Sequence, residues 1–437
     1  MSNSYVLLEK IVVPAAGSSS VTFANIPQTG YTDLKIVVSA RGTVGGAWND
    51  VTAKFNSSTT GYTQRYVYGT GSAAASNTGG YSAGYAGHAT GSGATANTFS
   101  NFEVYIPNYT GSNNKSFSFD SVTENNATTS LTMLGASLWS NTSAITSILF
   151  ELPGGSFVTG STFYLYGVAK LGTTPTIAPK ATGGDVIDTD GTYWYHIFRS
   201  SGTFTPAVGL SCDYLVVAGG GGGGSRWGGG GGAGGFRTDT GLSLATSTNY
   251  TVTVGAGGAG GSGAGYNRGG TGSNSVLATI TSSGGGGGGT NGQTPTTGGS
   301  GGAGGFFNQS GAAGTSGQGF AGGDAWTTTQ YAGGGGGGAS AVGANAPSGS
   351  NGGNGGAGTS SSYTGSAVTY AGGGGGGCET GTVGAGGAGG GGAGGKSAAN
   401  GTAGTANRGG GGGGGGNDTG AGGAGGSGIV VVRYLVA

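Results

Sequence analysis

The chain has 437 residues, 115 of them glycine, and only 7% carry a charge, with 15 basic side chains set against 15 acidic ones. A protein that holds phosphate backbones or anionic lipid needs clustered Lys and Arg, because released counterions supply the affinity, and no such cluster is present. No run approaches the roughly 18 apolar residues of a spanning helix, so neither nucleic acid nor membrane insertion is expected.

Glycine is unevenly spread. Of the 115, 26 precede residue 219, the remaining 89 fall within 219–428, and none follow. The chain therefore reads as two unlike objects joined end to end. The start, MSNSYVLLEKIVVP, has no basic segment, no long apolar stretch and no small-residue cleavage site, so no export signal is expected.

Residues 1–172 carry short apolar or alternating runs rich in β-branched and aromatic residues, with Gly, Asn, Ser and Pro between them. In chain order these are YVLLEKIVV (5–13), SVTFA (20–24), DLKIVVSA (33–40), QRYVYG (64–69), FEVYIP (102–107), KSFSFDSV (115–122), SLTMLGASLW (130–139), AITSILFEL (144–152) and STFYLYGVA (161–169). No window shows a capped helical period, so an antiparallel sandwich or jelly roll is expected, with almost no α-helix in the whole chain. The stretch 69–98 has no apolar period and reads as one long surface loop. In it Tyr81, Tyr85 and His88 could stack on a sugar ring, although a loop folded against a neighbouring subunit is the better account. Residues 173–184 form the linker expected between this domain and the next, 185–437.

The glycine-rich half is framed by TYWYHIFRSSGTFTP (192–206), CDYLVVAG (212–219) and IVVVRYLVA (429–437). The uniformly apolar YLVV and IVVV suit buried strands that pair and close a small core. Between them, polyglycine runs recur at 219–224, 228–232, 284–289, 333–338, 372–377 and 409–416. A flexible linker would lack such recurrent blocks, collagen needs glycine at every third residue with abundant Pro, and the calcium-binding nonapeptide needs an Asp per repeat. What remains is an inserted bundle of polyglycine-II helices, three residues per turn with about 3.1 Å rise and no internal hydrogen bonds. Their backbone groups must bond to neighbouring helices, which can approach closely only where side chains are absent. The spacing by three of Ala256, Ala259 and Ser262, of Ala421, Ala424 and Ser427, and of Ala385 and Ala388 places each set on an outer face.

The segments between runs lie on the surface of such a bundle. Several carry an aromatic beside an amide or hydroxyl: Phe306 and Phe307 with Asn308, Trp326 with Gln330 and Tyr331, then Tyr363 and Tyr370. These are the expected receptor-contacting residues, since exposed rings on rigidly held loops make binding surfaces. A role as lids over the alanine faces stays equally open.

Catalysis is not expected. His88 falls in the presumed loop and His196 on an aromatic strand, and the glutamates are scattered. Asp185, Asp188 and Asp190 tempt a glycan-cleaving or calcium reading, but a polar turn before a strand accounts for them better. No metal and no cofactor are expected, and Cys212 and Cys378 read as two reduced thiols, with their pairing left open.

The junction TFTPAVGLSCDYLVVAGGGGGG (203–224), with NYTVTVGAGGAGG (249–261) and GSGIVVVRY (426–434), resembles the glycine-rich domain of bacteriophage fibres and virion proteins. The inferred helix sandwich is similar to that of tail-fibre-tip adhesins of T-even-like phages, whose inter-helix loops touch an outer-membrane receptor. FEVYIPNYTGSNNKSFSF (102–119) and GSTFYLYGVAK (160–170) more weakly resemble strand segments of tailed-phage structural proteins, especially from cyanophages. The resemblance implies a tail or head fibre on the virion exterior, a host surface glycan or outer-membrane protein as partner, and homotrimers attached to other virion proteins through the N-terminal domain. The competing expectation is a head-fibre or capsid decoration subunit in which the glycine domain is a rigid spacer.

Overall fold

A computed structural model describes residues 5–124, 130–169, 178–326 and 331–436. Among them every element is a strand or an extended segment, and no α-helix occurs. The chain divides into two compact units, Met1–Pro179 with Asp185–Trp194 and Leu435–Ala437, and Lys180–Gly184 with Tyr195–Tyr434. Of the linker expected at 173–184, residues 173–177 lie outside the described ones.

The first unit holds β1 (Tyr5–Val12), β2 (Ser20–Phe23), β3 (Tyr31–Ala40), β4 (Trp48–Phe55), β5 (Tyr62–Gly69), β6 (Ala74–Tyr81), β7 (Gly84–Thr90), β8 (Ser100–Ile106), β9 (Lys115–Val122), β10 (Thr132–Trp139), β11 (Ile148–Glu151) and β12 (Thr162–Ala169). After β13 (Ala181–Thr182), which belongs to the second unit, β14 (Val186–Thr189) completes it. Its strands run in the order β14-β1-β12-β3-β8-β9-β10-β5-β6 in one sheet and β2-β11-β4-β7 in the other. The pairs are antiparallel, as in β3 with β8 and β9 with β10. Strict alternation drives the packing. In β9, Phe117 and Phe119 are buried while Ser116, Ser118 and Asp120 are exposed. Rings from the two sheets meet between them: Phe55 of β4 lies 5.0 Å from Phe117 and 5.7 Å from Trp139 of β10, and Phe150 of β11 lies 5.6 Å from Phe163 of β12. This is a sandwich core.

The loop expected at 69–98 is instead mostly strand. Ala74–Tyr81 pairs with β5 and Gly84–Thr90 pairs with β4. Strand β7 is buried on both faces because its small residues lie beneath large rings: a Cβ at Gly84 would sit 2.5 Å from Phe117 and one at Gly87 2.8 Å from Phe102. Period-2 hydrophobicity is absent there because the apolar volume is supplied by the neighbouring strands. Tyr85 and His88 are buried rather than displayed. The Tyr85 hydroxyl donates to Asp50 Oδ1 (2.7 Å) and accepts from His88 Nε2–H (2.6 Å), and the His88 ring beside Asp50 holds that carboxyl below its usual range. No sugar reaches either ring.

The second unit is framed by strands and filled by glycine. β15 (Tyr193–Phe198) leads into it, followed by β16 (Gly202–Pro206), β17 (Leu210–Val217), β18 (Phe236–Leu244), β19 (Tyr250–Thr253), β20 (Ser275–Leu277), β21 (Ile280–Ser282), β22 (Thr359–Ser361), β23 (Val368–Tyr370) and β24 (Ile429–Leu435). The expected pairing of YLVV with IVVV is present: β17 and β24 run antiparallel from Val217↔Ile429 to Asp213↔Arg433, whose side chains form an ion pair of 3.0 Å. Residues Leu215, Val216 and Val217 are fully buried, which is why this frame shows no alternation.

The glycine runs are polyglycine-II helices joined by backbone hydrogen bonds in a period of three. Within 219–224, the amides of Gly219 and Gly222 donate to Ser273 and Gly270, those of Gly220 and Gly223 to Gly426 and Gly423, and those of Gly221 and Gly224 to Gly232 and Gly229. The carbonyls of the same run accept, again in threes, from Gly285 and Gly288, from Gly258 and Gly261, and from Gly412 and Gly415. Each turn thus points its three amides at three neighbours and its three carbonyls at three others, so the run is surrounded by six helices. No residue of 219–224 takes a positive φ, as the left-handed extended helix requires. The runs 333–338, 372–377 and 409–416 repeat the pattern with their own neighbours. The interior glycines leave no room for a side chain: a Cβ at Gly223 would lie 2.0 Å from the carbonyl oxygen of Gly413, and one at Gly374 2.0 Å from that of Gly412. The alanines spaced by three face outward; Ala256, Ala259, Ala385, Ala388 and Ala424 are exposed beside buried Gly258, Gly387 and Gly423.

At the rim, where a helix lacks a neighbour, side-chain amides take over. Asn354 Oδ1 accepts from Ala385 N–H (2.9 Å) while the next amide, Gly355 N–H, donates to the Ala385 carbonyl (2.9 Å). Asn351 with Gly352 grips Thr382 in the same way, Asn400 with Gly401 grips Ala421, and Asn345 with Ala346 grips Asp324. These two-point clamps give edge amides the partner that a missing helix would have supplied.

His196, on β15, is fully buried, with Nδ1–H donating to the Gly183 carbonyl (2.7 Å) and Nε2 accepting from the Tyr434 hydroxyl (2.9 Å). Burial pulls its pKa down to about 4, with the Gly183 bond acting weakly the other way.

Two measurements test this account. Gly223→Ala drives a methyl into a carbonyl of the adjoining helix and is expected to destabilise the second unit by about 3 kcal/mol or more. Gly209→Ala, where nothing lies within 4 Å of the added carbon, is expected to be near neutral. Denaturant unfolding with peptide-resolved amide exchange over 219–224 reads both. The second concerns pH. Because the folded pKa of His196 lies below the unfolded value, its contribution is fully present above about pH 6.5. It is lost as pH falls toward 4, by on the order of 3 kcal/mol, and His196→Gln should flatten that part of the stability curve.

Candidate binding surface at the loop end of the glycine bundle

The bundle has two ends. Run 219–224 leaves β17 and run 228–235 returns to β18, so the connection Ser225-Arg226-Trp227 marks the end remote from the strand frame. Other connections are pinned beside it by backbone bonds: Ser225 N–H donates to Asn267, Arg226 to Gly420, Phe306 to Trp227 and Asn308 to Trp326. The loops 262–268, 306–310 and 417–420 and the residues flanking 327–330 thereby gather on one surface.

Aromatic rings converge there. Phe306 and Tyr331 stack at 4.3 Å with their planes 24° apart, and Trp227 lies 5.3 Å from each. Tyr266 adds an edge 6.0 Å from Phe306, Phe307 packs against Tyr331 at 6.5 Å, and the Arg226 guanidinium lies 5.3 Å from the Tyr266 ring centre. The outermost rings meet solvent: Phe307 is 51% exposed and Tyr266 37%. The backbone that holds them is strained. Arg226, Trp227, Phe306 and Asn308 all adopt left-handed φ between 47° and 56°, which costs non-glycine residues free energy and persists only where the surroundings enforce it. Trp227 Nε1 is buried without a hydrogen-bond partner.

Of the residues expected to contact a receptor, Phe306, Phe307, Asn308 and Tyr331 come together at this end. Trp326 is tethered beside them through its backbone, but its ring packs against the small cluster of Ala332, Ala346 and Cys378. One expectation is corrected. Tyr370, on β23, is buried, so its ring offers nothing to solvent, and burial raises its hydroxyl pKa. Tyr363 lies under the Arg433 guanidinium, 3.8 Å from the ring centre, among the residues of the strand frame. Gln330 lies outside the described residues. Trp227, Arg226 and Tyr266 were not singled out from the sequence. The signal for the first two was the bulky tripeptide SRW interrupting two polyglycine runs, where glycine would have made an easier turn.

The chemistry on offer is ring faces, amides and guanidinium. Among the described residues no group of three His, Cys, Asp or Glu could hold a metal. Both cysteines are free and buried, and burial pushes the Cys212 thiol up to about 12. In the first unit Asp190 Oδ1 accepts from the amides of Thr192 and Tyr193, the polar turn expected before a strand. Glu9, 6% exposed, is a buried carboxyl and Asp188 a half-buried one; desolvation is the first cause raising both pKa values, and Glu9 also feels the Asp188 charge.

The model of the Glycine-rich domain family matches residues 199–435, more than half of the chain, and the chain belongs to that family. No curated protein matches it.

Proposed function

We propose that this member of the Glycine-rich domain family is a fibre or adhesin of a bacteriophage particle, displayed on the virion exterior, that touches the host cell surface with the loop end of its glycine bundle and performs no chemistry itself. The observation that carries the reading is the ring cluster Trp227, Tyr266, Phe306, Phe307 and Tyr331. Solvent-facing rings held on strained backbone, over a support stiffened by six-neighbour bonding, bind with little ordering cost. Ring faces with Arg226 and Asn308 suit either a sugar or an extracellular protein loop of the host outer membrane.

The first unit is the attachment side in this reading. On its open sheet face Val67 of β5 and Leu134 of β10 are cross-strand partners, 55% and 61% exposed, beside a concavity of about 700 Å³ lined also by Met133 and Val122. An apolar pair of this kind beside the uncharged edge strand β6 is suited to other virion proteins or further copies, such as the two that complete a trimer.

The test is binding of labelled full-length protein to cells of the host on which the particle grows. The variant F306A/F307A/Y331A is expected to bind at least about thirtyfold more weakly, the effect of losing one interfacial hot spot of ~2 kcal/mol, while amide exchange in 219–224 stays unchanged. Undiminished binding by the variant would sink the assignment to these loops. Absence of any cell binding by a chain present in many copies on the capsid would favour the decoration subunit instead.

A further inference from the structure

The rim clamps have a chemical consequence. Asn followed by Gly is the dipeptide in which deamidation is sterically easiest, because the glycine amide meets no side chain as it approaches the amide carbon. The chain has four such pairs: Asn291–Gly292, Asn351–Gly352, Asn354–Gly355 and Asn400–Gly401. In the reaction the glycine nitrogen gives up its proton and bonds to Cγ of the asparagine. The Cγ–Nδ2 bond breaks, and ammonia leaves with the proton. Water then opens the succinimide at either carbonyl, giving aspartate or isoaspartate. Water is the only co-reactant.

Three of the four pairs are held against this step at both reacting atoms. At Asn351 and Gly352, Oδ1 accepts from Thr382 N–H (2.8 Å) and Gly352 N–H donates to the Thr382 carbonyl (2.9 Å). Asn354 and Gly355 are held likewise by Ala385, and Asn400 and Gly401 by Ala421, every bond being 2.9 Å. The nucleophile is thus a bonded amide, and the electrophile faces away from it toward the next helix. Both bonds must open before the ring can close, so reaction draws only on the locally opened population.

Asn291 is different. It sits in a turn closed by reciprocal bonds between Thr290 and Gln293 (2.9 and 3.0 Å), and neither its side chain nor the Gly292 amide has a hydrogen-bond partner among the described residues. Gly292 has φ +70° and nothing within 4 Å of where a Cβ would stand. We infer that Asn291 is the spontaneous modification site of the folded protein and that the bundle protects the other three asparagines. The turn is seated at the loop end, with Thr290 Oγ1 donating to the Ser225 carbonyl and Gln293 Nε2 donating to the Tyr266 carbonyl (2.7 and 2.8 Å). Ageing therefore places a new carboxylate on the same surface as Tyr266 and Arg268, and the isoaspartate form also adds a methylene to the backbone of the turn.

The experiment incubates the full-length chain in mildly alkaline buffer and follows each of the four peptides by mass spectrometry for a gain of one mass unit, native and in denaturant. Expected is conversion at Asn291 at least about tenfold faster than at Asn351, Asn354 or Asn400 in the native protein, with the four converging once unfolded; tenfold corresponds to about 1.4 kcal/mol of opening. An Asn291→Gln chain should show no early product. Equal native rates at the four sites, or a lag at Asn291, would overturn the assignment.

Discussion

A peptide amide on one glycine helix bonding to a peptide carbonyl on the next, at about 2.9 Å, is the contact on which the second unit rests. The polyglycine-II conformation offers its backbone nothing internally, so every amide must find a partner outside its own helix or remain buried and unpaired at substantial cost. The three-residue turn distributes those partners evenly around the axis, and the absence of Cβ lets the helices close to the distance at which the bonds form. Glycine's large loss of conformational freedom opposes all of this. Only a lattice in which the bonds form together can offset it, which explains why the glycines come in runs and why the runs sit next to one another.

The rest of the unit follows from that constraint. Strands β17 and β24 anchor the ends of the tract through an apolar pairing that needs no glycine. The alanines spaced by three occupy the outward third of rim helices, while Ala233 and Ala303 are buried within the bundle. Asparagines appear where a neighbour is missing and imitate it, the side-chain oxygen serving as the absent carbonyl. Because the helices are held from all sides, residues at their remote end can be kept in left-handed, strained conformations, and Trp227, Phe306 and Tyr331 are stacked there instead of collapsing inward.

The first unit obeys ordinary sheet rules, and its legibility varied with how much each strand carried its own apolar face. β9 is readable because its large residues alternate with small polar ones, and β12 because residues 163–166 are an unbroken aromatic and aliphatic run. β4 is hard to read because it places Asn49 on its buried face and Asp50 and Lys54 on the other, and β6 and β7 read as loop because Gly and Ala leave no period. The aromatic volume that buries β7 belongs to Phe102 and Phe117 on other strands. The site was partly legible for a similar reason. Phe306, Phe307 and Tyr331 stand beside polar residues in loop-like segments, but whether a ring faces solvent depends on what packs over it. Tyr370 and Tyr363 have the same local signature and are taken up by burial and by Arg433.

By itself the sequence determined that the chain is all-β, that its glycine tract must form an interbonded bundle and not a tether, and which third of its rim helices faces outward. Those conclusions depend on composition and on a period of three, both local properties of the chain. Tertiary structure alone decided which runs neighbour which, which asparagines close the rim, and which aromatics share the loop end. Each of those facts is a meeting of residues tens to hundreds of positions apart, fixed by how backbone bonds are shared between helices, and no stretch of sequence carries it.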